Sequence, residues 1–291
     1  MDELDLKALE AQLQKADGLP FQCGTLQLIG RNAFCTLAKM GVPGRQKIIK
    51  WGPTKTSDSF LESEFIGNAN IAATGTIGVP AENFFGRIHE HSVHCRQWID
   101  EEERTSKFWE DLGRKLARMH RKPVHQCGWD RDNFIGTLEQ HNVHTTSWTE
   151  FFMEYRLKHL ARSYPRVFGA EVMNALDALH AKMDTLYPSQ SPSLLHGDLW
   201  SGNILCGSGQ RVFLVDPSVY RGNREMDLAM SCLFGGFDDD FYAAYGEEYP
   251  LERGWRERVD LWNLYPLMVH SVLFGGRYVE QFRKCLNRFT A

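Results

Sequence analysis

The sequence predicts an α+β fold: a small lobe built on an antiparallel sheet, followed by a larger and mainly helical lobe. Three observations predict it. Short segments rich in β-branched and aromatic residues, divided by glycine turns, fill the stretch after Gly18. From Asp100 onward apolar residues recur three and four apart, the helical period. Strand-like islands return only around residues 194–215, where they flank the chain's most unusual polar cluster. The lobes are expected at residues 1–95 and 96–291 with a ligand cleft between them, and 291 residues that are 43% hydrophobic can bury the core this requires.

Taken in order, Leu6, Leu9 and Leu13 place a helix with one packed stripe in the stretch Met1 to Ala16. Strands are expected at Thr25 to Ile29, Ala33 to Ala38 and Lys47 to Trp51, separated by Gly30-Arg31-Asn32 and Gly41-Val42-Pro43-Gly44. Ser57 to Ala73 reads as a helix capped by Ser57 or Asp58, and another pair of strands should occupy Asn83 to Ile99. Helices are expected over Glu102–Arg121, Trp148–Ser163, Ala170–Leu186 and Arg256–Arg288. The late islands are Leu194-Leu195-His196, Ile204-Leu205 and Val212 to Val215.

Composition excludes several classes. A net charge of -4 without clustered Lys and Arg gives no footprint for a nucleic acid. No run of about 18 apolar residues suggests a spanning helix, and the acidic N-terminal stretch lacks the features of a signal peptide, so a cytoplasmic protein is expected. Seven scattered cysteines, none spaced C-x-x-C, read as reduced thiols. His89, His91, His94 and Cys95 read as side chains of an edge hairpin, not as a metal site.

The strongest chemical signal is His196-Gly197-Asp198-Leu199-Trp200-Ser201-Gly202-Asn203, followed by an apolar strand ending at Asp216. Phosphoryl transfer requires a carboxylate at the attacking hydroxyl and oxygen ligands for magnesium, because the protein contributes mainly positioning and charge neutralisation. An Asp, an Asn five residues later and a second Asp closing a strand supply both in the order of a kinase catalytic loop. Asp198 is then the base, Asn203 and Asp216 hold magnesium, and ATP is the donor. His196 braces the loop. The plain alternative is that these residues only cap turns.

Such a site also requires a cation on the phosphates and a carboxylate to aim it. Lys50 closes the apolar run Ile48-Ile49, with Lys47 as competitor, and Glu62 or Glu64 on the next helix would pair with it. No G-x-G-x-x-G or Walker-type loop occurs, which leaves Gly30-Arg31-Asn32 as the candidate phosphate turn.

The run Leu194 to Asn203 resembles the fructosamine kinase signature. So do Asp216-Pro217-Ser218-Val219-Tyr220, Gly222-x-Arg224-Glu225-x-Asp227-Leu228-Ala229-Met230, Leu233-Phe234-Gly235-Gly236-Phe237 and Leu273-Phe274-Gly275-Gly276. Upstream, Glu64 before Thr74-Gly75 and Val79-Pro80, and Phe134-Ile135-Gly136 through Arg156-Leu157, are similar to the same family. The resemblance implies a protein-kinase-like fold of the aminoglycoside phosphotransferase type and ATP-dependent phosphorylation of ketoamines at the third carbon of the sugar, which reverses glycation. It implies that Glu64 partners Lys50, that a nucleotide hinge containing Gln97, Trp98 and Ile99 lies near Cys95 to Ile99, that Trp200 meets the sugar, and that Asp227 braces the catalytic loop. The chain departs from the family in its Gly-poor phosphate turn, in the insertion Met40 to Arg45, and in a hinge without an acidic residue. A kinase of an aminoglycoside or choline, and a non-catalytic nucleotide-binding module, are the alternatives. Monomer and homodimer both remain open.

Overall fold

The computed structural model describes residues 4–290 apart from Leu19, Phe21, Thr25 and Pro43. Expectations that fall on Met1 to Glu3 or on those four residues lie outside the described residues. The chain forms two compact units: Met1–Arg104 with Leu205–Asp216, and Thr105–Ile204 with Pro217–Ala291.

The first unit begins with α1 (Leu6–Asp17), opened by Asp5, whose carboxylate accepts from the Ala8 amide at 3.0 Å. Strands β1 (Gln27–Arg31), β2 (Thr36–Val42), β3 (Arg45–Pro53), β4 (Glu82–Ile88) and β5 (His91–Gln97) form an antiparallel sheet in the order β1-β2-β3-β5-β4. Side chains alternate across β3, so Ile49 packs with Leu9 and Leu13 of α1, while Lys50 turns toward α2 (Thr54–Ala73). The hairpin of β9 (Ile204–Gly207) and β10 (Arg211–Leu214) is tied in by Leu214 N–H to the Gly78 carbonyl at 2.9 Å and by Glu102 N–H to the Cys206 carbonyl at 2.8 Å. These bonds explain why Leu205–Asp216 belongs here and not with its sequence neighbours.

Helix α2 starts earlier than expected and without a side-chain cap. Ser57 Oγ instead donates to the Phe34 carbonyl at 2.5 Å, and Asp58 is engaged by Arg87 and Ser92, so both capping candidates serve the sheet.

The second unit is mainly helical. It comprises α3 (Ser106–His120), α4 (Trp148–Phe152), a π-helical segment (Met153–Lys158), α5 (His159–Ser163), α6 (Pro165–Lys182), α7 (Glu225–Leu233), α8 (Asp239–Glu248), α9 (Val259–Trp262), α10 (Leu264–Phe274) and α11 (Arg277–Thr290). Two small antiparallel sheets pair β6 (Asn133–Ile135) with β7 (Leu138–Gln140) as a hairpin and β8 (Ser193–Leu195) with the more distant β11 (Tyr220–Gly222). Asp238 caps α8 by accepting from the Asp240 amide. The helix expected from Ala170 starts at Pro165 and is interrupted at Gly169, where φ is 73°. The long helix expected over Arg256–Arg288 is broken too, most sharply at Gly275 and Gly276, with φ of 60° and 54°. Among the described residues no helix is long and apolar enough to cross a membrane.

Candidate active site

Each unit carries its own group of functional side chains. In the first, β3 is hydrogen-bonded on both edges, which fixes Lys50 opposite Leu37 of β2 and His94 of β5. Its Nζ lies 2.6 Å from Glu64 Oε2 and 2.9 Å from Asp216 Oδ1. Glu62, two residues earlier on α2, faces a different direction and does not share this pair, since only residues three or four apart stack on a helix. Burial alone would lower the Lys50 pKa, but Asp216 and Glu64 outweigh it and hold the ammonium above its ordinary range. Burial likewise opposes ionisation of Glu64, yet Lys50 and then His94 keep its carboxyl well below the usual carboxylate range.

Asp216 follows β10 with φ at 54°, an uncommon left-handed conformation for a non-glycine residue. Arg96 of β5 also reaches its Oδ1, at 3.3 Å, while 39% of the Asp216 side chain stays exposed. An oxygen donor held this way suits a hard cation such as magnesium.

Lys47 points to the opposite face of β3. It lines a cavity of about 330 Å³ together with Gln97, Trp98 and Ile99, whereas Lys50, Glu64 and Asp216 are not part of that lining. The Gln97 amide donates to the Ala81 carbonyl at 2.9 Å and the Trp98 amide to the Gln46 carbonyl at 3.1 Å, so both backbone donors are spent within the unit. The phosphate turn also differs from expectation: Gly30 and Arg31 are paired inside β1, with Leu37 and Thr36, and the chain reverses at residues 32–35. There Asn32 Oδ1 accepts from the amides of Phe34 and Cys35, both at 2.8 Å. Burial pushes the Cys35 thiol up to about 11 and the Cys23 thiol up to about 12, which leaves neither as a thiolate at neutral pH.

The second unit holds the catalytic-loop residues. Gly197 has φ of 83°, and a Cβ there would stand 2.1 Å from the Ser218 carbonyl oxygen, so only glycine fits. Asp227 on α7 takes the loop's amides: Oδ2 accepts from His196 N at 2.7 Å and Oδ1 from Gly197 N at 2.9 Å. His120 Nε2 reaches the same carboxylate at 3.2 Å while its Nδ1 meets the Tyr245 hydroxyl at 2.8 Å. Burial opposes the Asp227 charge, but these hydrogen bonds, led by His120, keep its carboxyl below the ordinary value.

The Asp198 amide donates to His196 Nδ1 at 3.3 Å, so that nitrogen carries no proton. Asn203 Nδ2 donates to the Asp198 backbone oxygen at 2.9 Å and to its Oδ2 at 3.0 Å. One amide nitrogen thus aims the carboxylate, and neither of these bonds uses the Asn203 side-chain oxygen. Trp200 folds over Gly202, where a Cβ would meet its ring at 2.2 Å, and 38% of it remains exposed. Its ring stands edge-on to Phe234, which begins an aromatic group continuing through His270, Phe274 and Tyr278. Burial lowers the His270 pKa, and its Nδ1 meets the Pro266 carbonyl, which can only accept; Nε2 is therefore an acceptor within this group.

The fructosamine kinase family profile matches residues 8–291. This chain belongs to the fructosamine kinase family. A Synechocystis protein named a probable ketoamine kinase is 33% identical over 289 residues, covering 97% of this chain and 96% of the relative. An Enterococcus faecium protein of the same name is 35% identical over 234 residues, covering 79% of this chain and 83% of the relative. Crystal structures named for fructosamine-3-kinase superpose well: the Haemophilus somnus protein has a TM-score of 0.88 at 25% identity, covering 98% and 97% of the two chains. For the Thermobifida fusca protein the TM-score is 0.83 at 28% identity, covering 97% and 100%. The aminoglycoside phosphotransferase APH(4)-Ia matches at 14% identity with a TM-score of 0.61, which speaks for the protein-kinase-like fold alone. As a fructosamine kinase family member the chain is a phosphotransferase.

Sequence reasoning missed three residues that contact the candidate site groups: His120 at Asp227, His94 at Glu64 and Arg96 at Asp216. The first braces Asp227 from 107 residues away, and no local pattern marks such a pair. The other two alternate with apolar residues on β5, which reads as a solvated face although both are buried.

Proposed function

We propose that this kinase uses ATP and magnesium to phosphorylate the hydroxyl at the third carbon of a ketoamine's sugar, and so promotes removal of the sugar from the amine. The observation that carries this reading is the pair Asp198–Asn203 in the loop that bears the family signature. The Asn203 amide holds the Asp198 carboxylate in place through Oδ2, and a carboxylate so positioned can take the proton of the attacking hydroxyl. Asn203 and Asp216 supply the oxygen donors magnesium prefers, and the ion when bound neutralises charge on the transferred phosphoryl group. Lys50, aimed by Glu64, contributes a fixed ammonium for the phosphates. Trp200, half-buried beside the aromatic group of Phe234 and His270, forms an apolar wall for the sugar ring and the substituted amine. Thiols rather than disulfides, and the absence of a spanning helix among the described residues, accord with a cytoplasmic site for this chemistry.

The test is an acceptor panel with purified protein and magnesium-ATP: fructosyl-lysine, lysine, choline and an aminoglycoside. Fructosyl-lysine should be turned over far faster than the rest, because a site that orients one hydroxyl loses that advantage with acceptors lacking it. Preferential turnover of an aminoglycoside or choline would replace the substrate assignment, and no ATP-dependent transfer to any acceptor would sink it.

A further inference from the structure

Arg96 is the one buried cation of the first group with no role in the scheme above. It lies on β5 opposite Ile48, two positions along β3 from Lys50, and its side chain is only 7% exposed. Its Nη2 lies 3.3 Å from the same Asp216 oxygen that Lys50 meets at 2.9 Å. Its Nε is buried and has no hydrogen-bond partner. Two cations therefore share one carboxylate oxygen, and Glu64 is hydrogen-bonded to Lys50 but reaches Arg96 only through its charge. A buried guanidinium is tolerated only while an anion faces it, and unpaired guanidinium donors are costly. When Asp216 serves a metal ion, as proposed above, that anion must come from elsewhere.

Among the described residues of the same unit, the turn between β1 and β2 has most of its amides already engaged. Asn32 Oδ1 already accepts from the amides of Phe34 and Cys35, and the Asn32 amide donates to the Cys35 carbonyl at 2.9 Å. The turn between β1 and β2 has capped itself. An anion arriving beside Lys50 would meet few backbone donors from this turn and one under-used guanidinium.

We infer that Arg96 is a second phosphate-binding cation, which takes an oxygen of the nucleotide's polyphosphate beside Lys50 and substitutes for the turn amides that Asn32 has consumed. The inference rests on the reading of this unit as the nucleotide-binding part of a kinase. A guanidinium is suited to the task, being always charged and able to offer two parallel N–H donors to two phosphate oxygens. In the structure Arg96 and Lys50 hold Asp216 between them. With nucleotide bound, Arg96 exchanges that carboxylate for phosphate, and no covalent step is involved.

The test is calorimetric titration of adenosine, AMP, ADP and ATP, with magnesium present throughout, into wild type, R96M and R96K. Hydrogen bonds to a charged partner predict that R96M weakens ADP and ATP by roughly 10- to 100-fold while adenosine changes by less than about twofold. R96K should recover part of the loss. Equal weakening of adenosine and ATP, or none for either, would overturn the inference and leave Arg96 a structural partner of Asp216. Should R96M fail to fold, the same ratio of ATP to adenosine affinity in R96K decides. Ketoamine turnover by wild type is measured alongside. If turnover is absent but the loss still scales with phosphate number, the substrate assignment falls and the role of Arg96 stands.

Discussion

Asn203 holds Asp198 through two hydrogen bonds from one amide nitrogen, at 2.9 Å to the backbone oxygen and 3.0 Å to Oδ2. The geometry makes Asn203 a positioning residue for Asp198, beside the metal-binding role proposed for it. Asn203→Asp should therefore be worse than simple loss of one bond, because it sets a second anion against Asp198 and removes both donors. Turnover should fall at least ~10²-fold, the lower bound for a positioned base. Steady-state kinetics across pH checks it. Wild-type kcat with an unshifted pH profile would contradict the positioning role.

Trp200→Ala tests the wall. Ketoamine turnover should drop by ~10-fold or more, while slow hydrolysis of ATP by water changes little, since only the sugar uses the ring. Phe234→Ala should act in the same direction but more weakly, as it touches the site through Trp200. An equal fall in both activities would point to loss of folding instead.

Lys50→Met has a pH signature. In the wild type, the raised Lys50 pKa contributes stability below the ordinary lysine range, and the depressed Glu64 pKa contributes above the ordinary carboxylate range, so stability is flat between them. Removing the ammonium leaves Glu64 buried with only His94 and Arg96 to oppose its desolvation. Its carboxyl pKa should then rise, so the native state binds more protons than the unfolded chain, and stability should fall as pH goes from about 5 to about 8. Breaking a buried pair predicts a loss of about 3–5 kcal/mol at the upper end. Melting curves across that range decide; a pH-independent difference from wild type would refute it.

Asp227→Asn should destabilise the loop. The carboxylate accepts from His196 N, Gly197 N and His120, and an amide nitrogen in place of either oxygen would confront an N–H with another donor. A cost of about 2 kcal/mol or more is expected from an unsatisfied buried group. Denaturant titration reads it directly, and an unchanged midpoint would contradict the bracing role.

Much of this was legible in the sequence because the informative residues are close together. His196 to Asn203 and Asp216 lie within one short stretch, and the glycine that permits the turn, Gly197, is written into it. The sheet was legible from its glycine-divided strands, and α3 from a clean apolar stripe. What escaped has physical causes. Helix α7 is buried around almost its whole surface, so it has no polar face to set a period. Strands β6 and β7 have three residues each, too few to show alternation. The breaks at Gly169 and Gly275 are conformational choices that apolar spacing does not record. The shared oxygen of Asp216 depends on contacts between distant segments.

The most direct test of the central claim is transfer of the γ-phosphate to fructosyl-lysine by wild type and Asp198→Asn, with the product's phosphate located by NMR and nucleotide affinity measured in parallel. The account predicts phosphate on the third carbon of the sugar in wild type. In the variant it predicts a fall of ~10²- to 10⁴-fold in rate at nearly unchanged nucleotide affinity, because the amide cannot take the proton. Near-normal transfer by Asp198→Asn, or phosphate on another position, would contradict it.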